Sequence, residues 1–256
     1  MNKIKSILFS QNPPTDFDKT PYAELAKKYN LKIDFYKFFK IEGIPFADFR
    51  RSRISVSDYT SIIFTSKNAI DHFFRIFKEL KLKRLDIGTK YFCINNATAH
   101  YLQKYVVCRK RKVFSPADGN PERLVQEIIK YPADNFLFPS AIDSSNNQLI
   151  GLLNDAKINY TKAEVFKISF TDVSQAINLS DYDMVVFFSP YGIAAFTDSY
   201  PDFDDDRLVI AALGSRVVAA AREAGLGVRV VAPTKEHPSI FSAIDAYLLK
   251  SNGRRR

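Results

Sequence analysis

Six short segments place hydroxyl, amide or glycine residues directly after apolar runs: Ser10-Gln11-Asn12, Thr65-Ser66-Lys67-Asn68, Asn95-Asn96-Ala97-Thr98, Ser140, Ser189-Pro190-Tyr191-Gly192 and Gly214-Ser215-Arg216. The runs read as strands, and the segments stand where helices begin. A helix start offers free backbone N–H groups and the positive end of the helix dipole, which together bind carboxylates or phosphates. In parallel α/β sheets, ligands sit beyond the carboxyl ends of the strands, where these segments fall. The candidate ligand contacts are therefore Ser10, Thr65, Ser66, Asn68, Asn96, Thr98, Ser140, Ser189, Pro190, Tyr191, Gly192, Gly214, Ser215 and Arg216. Taken singly, each Ser, Thr or Asn is explained as well by capping its own helix. Six such segments facing one cleft favour an anion.

Other chemistry has no footing. The chain holds no Walker P-loop, no GxGxxG, no HExxH and no GxSxG elbow. His72, His100 and His237 sit at unrelated positions on or beside predicted helices and read as surface or capping residues. Asp202, Asp204, Asp205 and Asp206 read as a solvated loop. Cys93 and Cys108, both in predicted strands and in no CxxC, read as buried thiols of a reducing compartment. The expectation is that no metal and no cofactor are needed.

The elements that hold these segments are revealed by a repeat. Residues 57–74, SDYTSIIFTSKNAIDHFF, recur without a gap as residues 180–197, SDYDMVVFFSPYGIAAFT. Each copy runs from a polar turn through a buried strand and a Ser-containing loop into an apolar helical spacing. FCINNATAHYL (92–102) pairs in the same way with IAALGSRVVAAA (210–221), and Pro116 and Pro121 recur as Pro233 and Pro238. The remaining piece matches out of order: SILFSQ (6–11) resembles NFLFPS (135–140). The βα unit at 135–157 then completes a module made of residues 42–133. The unit at 4–30 is left for the module at 180–248.

This order predicts two similar parallel-sheet α/β domains of flavodoxin or Rossmann type, one discontinuous (1–34 with 170–250) and one continuous (42–162). A two-stranded antiparallel linker at 35–41 and 163–169 would join them and act as a hinge. The alternative, two sequential domains split near residue 130, leaves the 4–30 unit without a sheet.

At 256 residues, with 46% hydrophobic content, the chain has length for two cores. No apolar run is long enough for a signal peptide or a membrane span, so a cytoplasmic monomer with no membrane partner is expected. The net charge of +9 is partly local, in Lys81-Lys83-Arg84, Arg109–Lys112 and the tail Lys250 with Arg254–Arg256. These clusters read first as solvated surface. A positive field also favours anionic ligands. No nucleic-acid-binding signature accompanies the charge, which leaves a small molecule with many carboxylates as the expected partner.

FTSKNAIDHF, FFSPYGIAAF, the GxxTA-like element in ATAHYL and LGSRVVAAAREAGLGVRVVAPT together resemble the uroporphyrinogen-III synthase family over roughly residues 4–248. The resemblance implies a cofactor-independent lyase that closes the linear tetrapyrrole hydroxymethylbilane, inverts its last ring through a spiro intermediate and releases water. It also implies two modules clasping a substrate with eight carboxylates, mostly through backbone amides. The tyrosine common in the family's second crossover strand is Phe166 here, and Phe cannot donate a proton. The arginine often found after the first strand is missing from Ser10-Gln11-Asn12, the Arg-Gly usual near Ser140-Ala141 is absent, and Val217 replaces a threonine. The candidate donors are then Tyr191 and Tyr36. A tetrapyrrole-binding protein of the same fold without catalysis is the competing reading.

Overall fold

The computed structural model describes residues 3–107, 109–142, 148–204 and 207–253. Cys108, Asp205, Asp206 and the Arg254–Arg256 tail lie outside the described residues. The chain forms two compact units. One comprises the residues up to Lys40 and those from Ser169 onward; the other is Ile41–Ile168.

The first unit holds a five-stranded parallel sheet. Its strands are β1 (Ser6–Phe9), β2 (Lys32–Phe35), β9 (Met184–Phe187), β10 (Val209–Leu213) and β11 (Val228–Ala232), in the order β11-β10-β9-β1-β2. Helices α1 (Pro21–Tyr29), α7 (Pro190–Ser199), α8 (Ser215–Glu223) and α9 (Ile240–Ser251) complete it. The central strands are buried along their whole length. Period-2 alternation therefore feeds two cores instead of one apolar and one wet face. Ile7, Phe9, Met184 and Val186 pack with Ile244 and Leu248 of α9. Leu8, Val185 and Phe187 turn the other way, onto Ile193 and Phe196 of α7 and Val217 of α8.

The second unit repeats the plan. Its strands are β3 (Phe39–Gly43), β4 (Ser61–Phe64), β5 (Lys90–Cys93), β6 (Val113–Phe114), β7 (Phe136–Ala141) and β8 (Tyr160–Phe170), in the order β3-β8-β7-β4-β5-β6. Its helices are α2 (Phe46–Arg51), α3 (Lys67–Glu79), α4 (Asn96–Leu102), α5 (Pro121–Ile128) and α6 (Gln148–Asp155). Ile62, Phe64 and Leu137 pack with Phe73 of α3 and Leu102 of α4 on one face. Ile63, Phe92 and Phe138 pack with Leu124 of α5 and Leu153 of α6 on the other. Each of these phenylalanines contributes on the order of 1.5–3 kcal/mol by leaving water. Read from one end, β11-β10-β9-β1-β2 corresponds to β6-β5-β4-β7-β8, so the N-terminal strand β1 fills the place that β7 fills in the other sheet.

Buried polar groups at the amino ends of the strands are satisfied in pairs. Asp183 accepts from the Ser6 hydroxyl and from the Lys5 and Ser6 amides. Asp134 accepts from the fully buried Ser61 hydroxyl and from Lys90 at 2.7 Å. These ends are structural, which leaves the carboxyl ends for function.

Between residues 160 and 170 the chain forms one continuous strand. β8 pairs in parallel with β7 from Tyr160 to Phe166. On its other side it lies antiparallel to β3: the Thr171 amide donates to the Phe38 carbonyl and the Ile44 amide to the Val165 carbonyl. Tyr36 stands directly after β2, in the connection to β3, and donates its amide to the Phe9 carbonyl at 3.0 Å.

Candidate anion-binding site

In the first unit, β9 leads into α7 through Ser189, whose hydroxyl accepts from the Tyr191 amide at 3.2 Å. Pro190 has no N–H, and the Gly192 and Ile193 amides donate to the Ser189 carbonyl. The start of α7 thus satisfies its own donors. The start of α8 does not. Gly214 precedes it at φ +98°, a conformation that glycine alone adopts freely. Its carbonyl accepts from the Val217 and Val218 amides at 3.1 Å, while the Ser215 and Arg216 amides find no acceptor among the described residues.

In the second unit both helix starts keep two amides without an acceptor among the described residues, those of Lys67 and Asn68 at α3 and those of Asn96 and Ala97 at α4. Ser66 caps α3, accepting from the Ala69 amide at 3.1 Å. Asn95 caps α4 through the Thr98 amide at 2.9 Å. The Asn96 side chain is occupied by the Ser115 hydroxyl at 2.7 Å, and Thr98 is buried. Thr65, half-buried, links β4 to the Ser66 cap.

Two expected contacts lie elsewhere than in open loops. Ser140 is inside β7, buried, with its hydroxyl donating to the neighbouring Ala141 carbonyl. Ser10 follows β1, but α1 begins only at Pro21, so Ser10 starts no helix of its own. It lies against α7 instead: a Cβ built on Gly192 would come 3.5 Å from its hydroxyl oxygen. That oxygen is buried and has no hydrogen-bond partner among the described residues.

Charge at the helix starts runs against the ordinary preference. Acidic side chains favour a helix N-terminus and cations oppose it. Elsewhere the rule is followed by Glu24 in α1, Asp48 in α2 and Glu122 in α5, while α6 and α9 also carry no acid in the first turn. At the loops, α3, α4, α7 and α8 carry no acid in the first turn. α3 instead opens with Lys67 and α8 carries Arg216, both exposed and neither ion-paired among the described residues. Lys67 lies over the Tyr101 ring at 5.3 Å. It was absent from the sequence-derived contacts. Its signal was a cation at the first position of a helix lacking a first-turn acid.

Phe166 is packed into the core of the second unit, where His72 stacks on it at 5.4 Å. His72 is half-buried, not a surface residue as the sequence suggested. Burial lowers its pKa, and the Arg75 charge lowers it further against the opposing pull of Asp71. Tyr191 is exposed, with its ring 5.8 Å from that of Phe39. Tyr36 is half-buried beside Phe38. Among the described residues no cluster of His, Cys, Asp and Glu has the arrangement of a metal site, and no helix is long and apolar enough to cross a membrane.

Residues 21–242 match the family model of uroporphyrinogen-III synthase HemD. The chain belongs to the uroporphyrinogen-III synthase family. Its activity is that of the family, a cofactor-independent lyase reaction of tetrapyrrole biosynthesis. The fold is similar to a mutant uroporphyrinogen III synthase from the extremely thermophilic bacterium Thermus thermophilus, with TM-score 0.64 at 14% identity, covering 95% of this chain and 97% of that one. It is also similar to uroporphyrinogen-III synthetase from Helicobacter pylori 26695, with TM-score 0.59 at 15% identity, covering 96% and 99%. No curated protein matches by sequence.

Proposed function

We propose that the chain converts hydroxymethylbilane to uroporphyrinogen III by seating substrate carboxylates on the starts of α3 and α8. The observation that carries this is the reversed charge at those two helices. Unpaired amides and an unpaired cation at a positive dipole end destabilise the protein alone and are relieved by an anionic ligand. Ser66 and Gly214 hold the two starts in shape, and Lys67 and Arg216 add the attraction.

The chemistry asks little of the protein beyond placement. The pyrrole nitrogen of the substrate pushes out the hydroxyl group, and the released oxygen leaves as water after taking a proton. The resulting cation is attacked by the substituted carbon of the last ring to give the spiro intermediate, which opens and recloses with that ring inverted. The protein must keep the chain folded so that this path outruns plain closure, and must exclude water that would trap the cation. Phe166 cannot supply the proton, so we assign the role to a tyrosine: Tyr191 at the start of α7, or Tyr36 at the end of β2.

The test is the isomer ratio formed from hydroxymethylbilane, since uncatalysed closure gives the symmetric isomer I. Isomer III above background is expected. Tyr191→Phe or Tyr36→Phe should lower kcat by a factor on the order of 10² or less, because a general acid only assists a departure the substrate already drives. Isomer I alone, alongside tight uroporphyrin binding, would mean a binding protein and overturn the catalytic assignment.

A further inference from the structure

Most large aromatic side chains of this protein fill its four cores, but Phe39, Phe170 and Tyr191 belong to none of them. By chain position all three fall in the first unit, Phe39 at the start of β3 and Phe170 at the end of β8, the rest of both strands belonging to the second. The hydrogen bonds that set β3 against β8, Thr171 to Phe38 and Ile44 to Val165, fix Phe39 and Phe170 as directly opposed residues. Directly opposed residues project from the same face of a strand pair, and in a pair without its own hydrogen bonds their side chains come closest. Phe39 is nearly buried, under the Tyr191 ring at 5.8 Å and under Lys37, whose ammonium lies 5.5 Å from the Phe39 ring centre. Phe170 and Tyr191 are 45% and 44% exposed, large areas for aromatic rings with no core to fill. Lys37 forms no ion pair among the described residues.

We infer that Phe39, Phe170 and Tyr191 form a stacking platform for one pyrrole ring of the substrate, with Lys37 pairing a carboxylate on that ring. The inference rests on the tetrapyrrole reading above and adds a ring contact to its carboxylate contacts. A pyrrole is flat and electron-rich, so it stacks on or packs edge-on against aromatic rings and also attracts a nearby cation. The rings of the linear substrate carry acidic side chains. A site that grips both the ring and its acid therefore restricts rotation about the ring's own bonds. Inversion of the last ring requires that restriction, because the ring must present its substituted carbon to the cation. Amides that hold carboxylates alone leave the ring free to turn.

The platform is separable from the tyrosine's acid role. In variants whose melting matches the wild type, Phe170→Ala and Tyr191→Ala should each raise KM for hydroxymethylbilane about tenfold, the scale of one aromatic contact. Phe170→Tyr should restore it. Tyr191→Phe keeps the ring and should keep the wild-type KM whatever happens to kcat. Lys37→Met should raise KM as well, and less so in high salt. If the wild type forms no isomer III, the same variants are read by titration with uroporphyrin III, with Kd in place of KM. The platform is refuted if Phe170→Ala and Tyr191→Ala leave KM (or Kd) unchanged, or if Tyr191→Phe raises it as much as Tyr191→Ala does.

Discussion

Gly214 offers a way to test whether the start of α8 is a binding device or only a turn. Its φ of +98° with ψ of 143° lies in a region that essentially only glycine occupies, and a Cβ there would meet nothing within 4 Å. The cost of Gly214→Ala is therefore purely backbone strain, ~1–3 kcal/mol, with no steric clash to add. In a domain of this size that lowers Tm by about 2–4 °C for each kcal/mol. Gly225, at the other end of the same helix, is the control. It sits at φ +77° with equally open space, and the cost of Gly225→Ala is ~1–2 kcal/mol. Both variants should melt lower by comparable amounts. Only Gly214→Ala should raise KM for hydroxymethylbilane, because relaxing its strain rotates the Ser215 and Arg216 amides away from the ligand. Melting curves and steady-state kinetics on the two variants decide the matter. Equal kinetic losses in both, or a Gly214→Ala enzyme that is destabilised yet keeps its KM, would refute a binding role for this helix start.

The paired cations make a second prediction. Lys67→Gln and Arg216→Gln should each weaken uroporphyrin III binding about three- to tenfold at low salt, with the difference from wild type shrinking as salt rises. Each should also raise Tm slightly without ligand, by removing a cation from a positive helix end. Loss of stability in both would contradict the reasoning. Third, His72 links stability to pH. Its folded pKa lies below the ordinary value, so the unfolded chain binds the extra proton first. Stability is therefore full above the ordinary value and falls as pH drops from there toward the lowered one. His72→Gln should flatten the change in Tm between about pH 7 and 5, and an unaltered pH profile would show that other groups carry it.

Much of this architecture is written in short range. Strands buried on both faces appear as unbroken apolar runs, so SIIF, MVVF and SILF could be read directly as β4, β9 and β1. The cap serines could also be read, because Ser66 and Ser189 each precede an apolar helical spacing and repeat in register. Two-residue β6 and six-residue α2 could not, since neither is long enough to show a period. Ser140 was misplaced because a hydroxyl at a strand end looks the same whether the strand stops before it or after it. The parallel partner of β7 runs on through Phe170, and that pairing keeps Ser140 in the sheet.

What sequence could not give is the pairing of distant positions. Phe39 and Phe170 become neighbours only through the register of β3 on β8, set by main-chain hydrogen bonds that carry no side-chain signature. The stacking of His72 on Phe166 has the same origin, a helix laid on a strand from the far side of the unit. Whether an amide at a helix start is free is likewise a three-dimensional fact. Ser189 and Ser66 are the same residue in the same repeat. Yet Ser189 takes the Tyr191 amide, leaving α7 closed, whereas Ser66 reaches on to the Ala69 amide, leaving two donors bare at α3. The difference follows from the residues in between. Pro190 has no N–H to offer at α7, while Lys67 keeps its own at α3 and adds a charge beside it. The repeat thus builds two similar serine caps with different donors left over, α7 closed and α3 open among the described residues.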